Sequence, residues 1–163
     1  MNELAEQISG GIPAEMEIAI VGIRSRGEVL AQRLADCLSK ARGKEIPCGT
    51  LDITLYRDDF NCPGGTPHRT VQTTEIGFDI DDKIIILVDD VLYTGRSARA
   101  AMAALLDLGR PRAIRLAVLV DRIIGREFPI QADYTGCKSD VTAEQTVQVN
   151  LLESDGKDEV VVE

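Results

Sequence analysis

Two stretches of the chain share one layout: a continuous apolar run, a short polar turn, then apolar residues at helical spacing. The first begins at Glu17-Ile18-Ala19-Ile20-Val21-Gly22-Ile23 and turns through Arg24-Ser25-Arg26-Gly27. From Glu28 to Ala41 it places Leu30, Leu34, Cys37, Leu38 and Ala41 on one face, which predicts a helix ended by Gly43 and Pro47. The second opens with Lys83 to Val88 and passes through Asp89-Asp90-Val91-Leu92-Tyr93 into Thr94-Gly95-Arg96-Ser97. Ala98, Ala101, Met102, Leu105 and Leu108 then mark a helix stopped by Gly109 and Pro111. Ile114 to Val120 is a third buried run, and Leu51 to Tyr56 alternates apolar with polar, which predicts another strand. Continuous apolar strands separated by helices imply an α/β fold with a mostly parallel central sheet flanked by helices.

The remaining segments are less regular. Residues 57–82 hold Pro63-Gly64-Gly65-Thr66-Pro67 in a loop of unusual length, which predicts a functional or disordered segment, with Val71 to Phe78 as one arm of a hairpin. Residues 146–150 and 159–162 read as short late strands.

Length and composition narrow the class. A chain of 163 residues fits one domain with a real core, and 44% apolar residues argue against global disorder. The aliphatic runs Ile84–Val88 and Leu116–Val120 fall far short of the ~20 residues a membrane span needs. Met1 to Glu6 is acidic and lacks an apolar segment, so no signal peptide and a cytoplasmic location are expected. Cys37, Cys48, Cys62 and Cys137 form no C-x-x-C pair, and there is one His, so reduced thiols rather than a zinc site are expected. The net charge of −9 argues against indiscriminate nucleic-acid binding and leaves a local basic patch open. Residues 153–163 form an acidic tail with five acids and one Lys.

The strongest chemical signal is Val88 to Ser97. A hydrophobic strand runs into two carboxylates, and a small-residue turn then opens a helix. Backbone N–H groups at a helix N-terminus favour an anion. Thr94 and Ser97 add hydroxyls, and Gly95 permits close approach. The turn therefore suits a phosphate, which Asp89 and Asp90 would repel. Those acids suit paired hydroxyls or a cation instead. A sugar phosphate satisfies both halves, with ribose hydroxyls on the acids and the 5′-phosphate in the turn. The plainer alternative is that the two acids only cap the helix. Arg24-Ser25-Arg26-Gly27, also between strand and helix, suits a dense anion. Both turns should line one crevice outside the strand ends.

Val88 to Ser97 resembles the phosphoribosyl-pyrophosphate (PRPP) site of the type I phosphoribosyltransferases. The likeness extends to Asp52-Ile53-Thr54-Leu55-Tyr56-Arg57-Asp58-Asp59, Gly109-Arg110-Pro111, Leu116 to Arg122, Arg126-Glu127-Phe128-Pro129-Ile130 and Ala132-Asp133-Tyr134. Across residues 18–136 these blocks resemble the pyrimidine-operon regulator family, PyrR, whose members also act as uracil phosphoribosyltransferases. The resemblance implies a type I phosphoribosyltransferase fold over residues 1–163 as a single domain, with a flexible hood at about 57–82. It implies that PRPP and uracil give UMP and diphosphate. Asp89, Asp90 and Arg57 would be catalytic, and Tyr93, Thr94, Gly95, Arg96 and Ser97 would join the two acids in binding PRPP. Arg24, Ser25, Arg26 and Gly27 would hold pyrophosphate. Magnesium would arrive on PRPP with few or no direct protein ligands, and a homo-oligomer, a dimer or larger, is expected.

A hood has a physical purpose. The ribosyl transition state has oxocarbenium character, and a lid excludes hydrolytic water and supplies charge. Arg57 and Arg69 are its candidate cations, and His68 lies in the same loop. Tyr93 stands where purine-handling relatives carry an acid, which favours uracil as the base. Base selection then falls to the backbone near Val120-Asp121-Arg122.

The resemblance thins where the family's regulatory members bind RNA. Arg126 is retained and Lys138 lies nearby, but Gln131 and Cys137 stand where basic residues are expected. Ile123-Ile124-Gly125 carries one extra residue and lacks the family's histidine. Before the first strand, Gly10-Gly11 and Pro13 argue against a full first helix. With these losses RNA binding by Arg126 and Lys138 is doubtful. The alternative to the enzyme is a UMP-sensing, RNA-binding attenuator of pyrimidine gene expression.

Overall fold

The structure is a computed structural model, and it describes residues 1–58, 71–142 and 144–163. Its centre is a five-stranded parallel sheet built from β1 (Ile18–Ile23), β2 (Cys48–Leu51), β3 (Ile84–Leu92), β4 (Ala113–Arg122) and β5 (Tyr134–Ser139). The spatial order is β2-β1-β3-β4-β5. The register aligns Ile20 with Ile86 and Val88 with Ala117. The chain grows outward from β1 in one direction, then from β3 in the other, so the order reverses between β1 and β3. That reversal is where open α/β sheets form ligand crevices.

The continuous apolar runs arise because both faces of each strand are covered. Ile18, Ile20, Ile86 and Val88 face one way and pack with Leu30, Leu34 and Leu38 of α2 (Arg26–Arg42). Ala19, Val21, Ile85 and Leu87 face the other way and pack with Ala98, Ala101 and Leu105 of α3 (Arg96–Leu108). Each fully buried Leu or Ile adds about 1.5–3 kcal/mol of hydrophobic stabilisation.

The expected strands and helices form with four differences. The first helix of the pattern starts at Arg26 rather than Glu28, so Arg26 and Gly27 belong to its first turn. Of the strand expected over Leu51 to Tyr56, only Leu51 is strand, as the last residue of β2. Pairing with β1 ends at Leu51, and Asp52 then accepts hydrogen bonds from the Thr54 amide and hydroxyl, which turns the chain into a short 3₁₀ segment at Thr54–Tyr56. Val71 to Phe78 is not a hairpin arm, since it makes one antiparallel bridge, Thr50 to Glu75. Finally, a ten-residue helix α1 (Asn2–Gly11) forms despite its two glycines. Leu4, Ala5 and Ile8 make an apolar stripe buried in the α2-side core, and this outweighs the weak local propensity. Gln7 of α1 donates to the Thr135 carbonyl and accepts from its amide, which covers the outer edge of β5.

The late strands form as expected. β6 (Val147–Asn150) and β7 (Glu159–Val162) pair antiparallel, with the short helix α4 (Leu152–Asp155) between them. Cys37, Cys48 and Cys137 are free thiols, and Cys62 lies outside the described residues. Among the described residues no helix is long and apolar enough to cross a membrane.

Candidate functional site

A cavity of about 220 Å³ opens where β1 and β3 end, at the switch point of the sheet. Arg24, Ser25 and Arg26 line one side, and Asp89, Asp90 and Ser97 the other. Two loops separated by sixty residues of sequence thus meet because their parent strands are neighbours. Gly27 makes the approach possible. A Cβ there would lie 2.5 Å from the Val88 carbonyl oxygen, so any side chain would push the first turn of α2 off β3.

The two acids lie inside β3 rather than after it, because pairing with β4 continues to Leu92. Both are half-buried. The Asp89 carboxylate accepts from the Asp90 amide at 3.0 Å, and that of Asp90 from the Val91 amide at 2.8 Å. Burial pushes the Asp89 carboxyl well above the usual carboxylate range, and the Asp90 charge raises it further. The Asp90 amide and the Arg57 guanidinium act in the opposite direction. Arg57 lines the same cavity.

The turn into α3 has Gly95 at φ +91°, a left-handed backbone that other residues rarely adopt. No side chain caps the helix beyond a 3.3 Å contact from the Arg96 amide to the Thr94 hydroxyl. The turn is held from outside. The Thr94 carbonyl accepts from the amides of Glu127 and Phe128, and Arg126 donates to the Tyr93 carbonyl.

Among the PRPP-site expectations, Ser97 joins Asp89, Asp90 and Arg57 at the cavity wall, whereas Tyr93, Thr94, Gly95 and Arg96 do not line it. Arg96 pairs with Asp58 at 2.9 Å and with Glu127 at 2.5 Å. The Tyr93 ring lies beneath Arg122. Arg24 pairs with Glu28 at 3.2 Å and donates to Thr50, and Arg26 pairs with Asp155 at 3.3 Å. Arg126 pairs with Asp121 at 2.5 Å, while Lys138 is exposed on a second cavity of about 440 Å³. That cavity opens beyond β4 and is also lined by Asp121, Arg126 and Phe128. Arg69 and His68 lie outside the described residues.

Asp52 is a site residue that sequence reasoning passed over. It lines the cavity and also accepts from the Gln72 amide at 2.6 Å, which ties the return of the long loop to the end of β2. Burial raises its pKa, but the hydrogen bonds from Thr54 and Gln72 and the nearby Arg24 outweigh burial and hold it below the usual range. An Asp followed two residues later by Thr, just after a strand, was the available signal.

The phosphoribosyl transferase domain family matches residues 1–154. Proteins named "Bifunctional protein PyrR" match along most of their length. That of Desulfosudis oleivorans is 54% identical over 145 residues, covering 89% of this chain and 79% of the relative. That of Alkaliphilus metalliredigens is 48% identical over 163 residues, covering 100% and 88%. This chain belongs to the PyrR family.

The PyrR chain also shares its fold with solved phosphoribosyltransferases. A Trypanosoma cruzi hypoxanthine phosphoribosyl transferase superposes with a TM-score of 0.71 at 16% identity, covering 99% of this chain and 83% of that one. A purine phosphoribosyltransferase from Pyrococcus horikoshii gives 0.59 at 24%, covering 84% and 78%. At such identities the likeness is one of fold, a parallel sheet flanked by helices. The match to the phosphoribosyl transferase domain family and to the PyrR relatives places this chain in the type I phosphoribosyltransferase superfamily.

Proposed function

We propose that this phosphoribosyltransferase transfers the phosphoribosyl group of PRPP to uracil, giving UMP and diphosphate. The observation that carries the reading is the meeting of Arg24, Ser25 and Arg26 with Asp89, Asp90 and Ser97 around one cavity, with cations on one side and paired carboxylates on the other.

Asp89 and Asp90 accept from the ribose hydroxyls, and the N-terminus of α3, which reaches the cavity at Ser97, takes the 5′-phosphate. The 24–27 turn receives the diphosphate as it departs, so its positive charge acts most strongly when the ribosyl–oxygen bond is breaking. Arg57, at the mouth of the long loop, adds a third cation to the cavity wall beside Arg24 and Arg26. Uracil attacks through a ring nitrogen as the ribosyl–oxygen bond breaks, its N–H proton passing to the departing diphosphate, and Tyr93 offers no carboxylate to a purine. The adjacent carboxylates of Asp89 and Asp90 suit a cation. Magnesium bound to the diphosphate would supply charge neutralisation there, with Asp89 and Asp90 meeting its waters.

The name of the relatives, bifunctional, favours a second reading as a UMP-sensing RNA-binding attenuator. Here Arg126 is engaged by Asp121 and the Tyr93 carbonyl, which leaves Lys138 as the exposed cation of that cavity. We therefore place catalysis first. Self-association, as a dimer or larger, belongs to the same proposal.

The test is PRPP consumption against a panel of free bases, run beside a low-salt gel shift with a pyrimidine-leader RNA. Turnover with uracil and no shift is the expected result. A shift without turnover would reverse the order of the two readings.

A further inference from the structure

The acidic C-terminal segment takes no part in the scheme above, yet it docks on the diphosphate side of the cavity. The β6–β7 hairpin folds back so that its tip, residues 152–158, lies along α2. Arg33 is gripped there by Glu153 and by Asp158, the latter at 2.8 Å. Arg26 precedes Arg33 by two helical turns and so shares its face. Its Nη2 meets Oδ1 of Asp155 at 3.3 Å.

Two details define what this contact does. Asp155 is itself tied down, because Oδ2 accepts from the Leu151 amide at 2.8 Å and from the Ser154 hydroxyl at 2.9 Å. Asp155 also lies outside the cavity wall, whereas Arg26 is part of it. A carboxylate inside the cavity would compete with an incoming anion. One fixed behind the arginine instead sets the direction of the guanidinium and reduces the rotamer freedom lost on binding. The Arg26 Nε–H is buried without an acceptor among the described residues, so Asp155 leaves donor capacity unused.

We infer that Asp155 is a positioning residue for the diphosphate-binding turn, and that the C-terminal hairpin is a working part of that site. The inference rests on the reading of residues 24–27 as the diphosphate loop.

The test uses the full chain with three variants: Asp155→Asn; Glu153→Gln with Asp158→Asn, which frees the hairpin tip without touching Arg26; and Glu163→Gln as a charge-matched control. Calorimetry with magnesium measures binding of PRPP, diphosphate and UMP, and circular dichroism checks folding. Asp155→Asn and the double variant should weaken PRPP and diphosphate by about three- to fivefold, with UMP, which lacks a diphosphate, and the control changed less than about twofold. Unchanged PRPP affinity in a folded variant overturns the inference. So does tighter binding, which would mean that Asp155 competes, or an equal loss for UMP, which would mean a general structural role. If Asp155→Asn fails to fold, the double variant decides. Failure of the wild-type chain to bind PRPP overturns the site reading itself.

Discussion

The guanidinium of Arg122 lies 3.8 Å from the centroid of the Tyr93 ring. Arg122 is 4% exposed, its Nε lacks a partner among the described residues, and its Nη2 donates to the Thr142 carbonyl at 3.0 Å. The ring of a residue in the candidate PRPP turn therefore shields a buried cation at the end of β4, and this couples the turn to the strand beside it.

That coupling predicts the behaviour of Tyr93 variants. Tyr93→Phe keeps the aromatic face and should unfold in urea within about 0.5 kcal/mol of the wild type. Tyr93→Leu removes the face and should cost about 2 kcal/mol or more, because the cation loses its π partner in a desolvated setting. Equal unfolding midpoints for the two variants would refute the role of the ring.

Asp89 predicts a trade of stability against activity. Its folded-state pKa is raised, mainly by burial, so the fold opposes its ionisation. The contribution is fully present below the unfolded value of 3.8 and is lost as pH rises through the folded value. Asp89→Asn should therefore be more stable than the wild type at pH 7, and the advantage should vanish as pH falls below about 4. Turnover in Asp89→Asn and in Asp90→Asn should fall by about two orders of magnitude or more, if these acids orient the ribose. Urea titrations at the two pH values and an initial-rate assay check both parts.

Two glycines should respond in opposite directions to Ala. At Gly27 the new methyl meets backbone at 2.5 Å, and at Gly10, inside α1, nothing lies within 4 Å. Gly27→Ala should cost about 1–3 kcal/mol through overpacking and weaken PRPP binding. Gly10→Ala should gain about 0.5–1 kcal/mol through helix propensity. Thermal melts and PRPP titrations read the difference.

The hairpin tip should come loose in acid before the sheet does. Arg33 holds the carboxyls of Glu153 and Asp158 below their usual values. Their contribution is present above the unfolded values of 4.5 and 3.8 and is lost as pH falls through the lower folded ones. The protection of residues 152–159 against hydrogen exchange, taken relative to the intrinsic rate at each pH, should fall as pH drops below about 4 while β1 and β3 stay protected. Parallel loss of protection in all of them would show that the tip and sheet open together.

The amino-acid sequence alone determined the alternation of strand and helix, because buried strands and amphipathic helices leave different apolar periods. It also carried the Asp89 to Ser97 and Arg24 to Gly27 turns, since each needs particular residue types at fixed offsets. The tertiary structure decided what those turns face. Strand order put β1 beside β3 and so formed one cavity from two distant loops. It turned the cation of Arg96 onto Asp58 and Glu127, and that of Arg126 onto Asp121, because a charged side chain pairs with whichever opposite charge folding brings within reach. It stabilised α1 by burying Leu4 and Ile8, a gain with no signature in local propensity. It also brought Asp155 to Arg26 across 129 positions of chain, a contact that has no period or motif along the sequence.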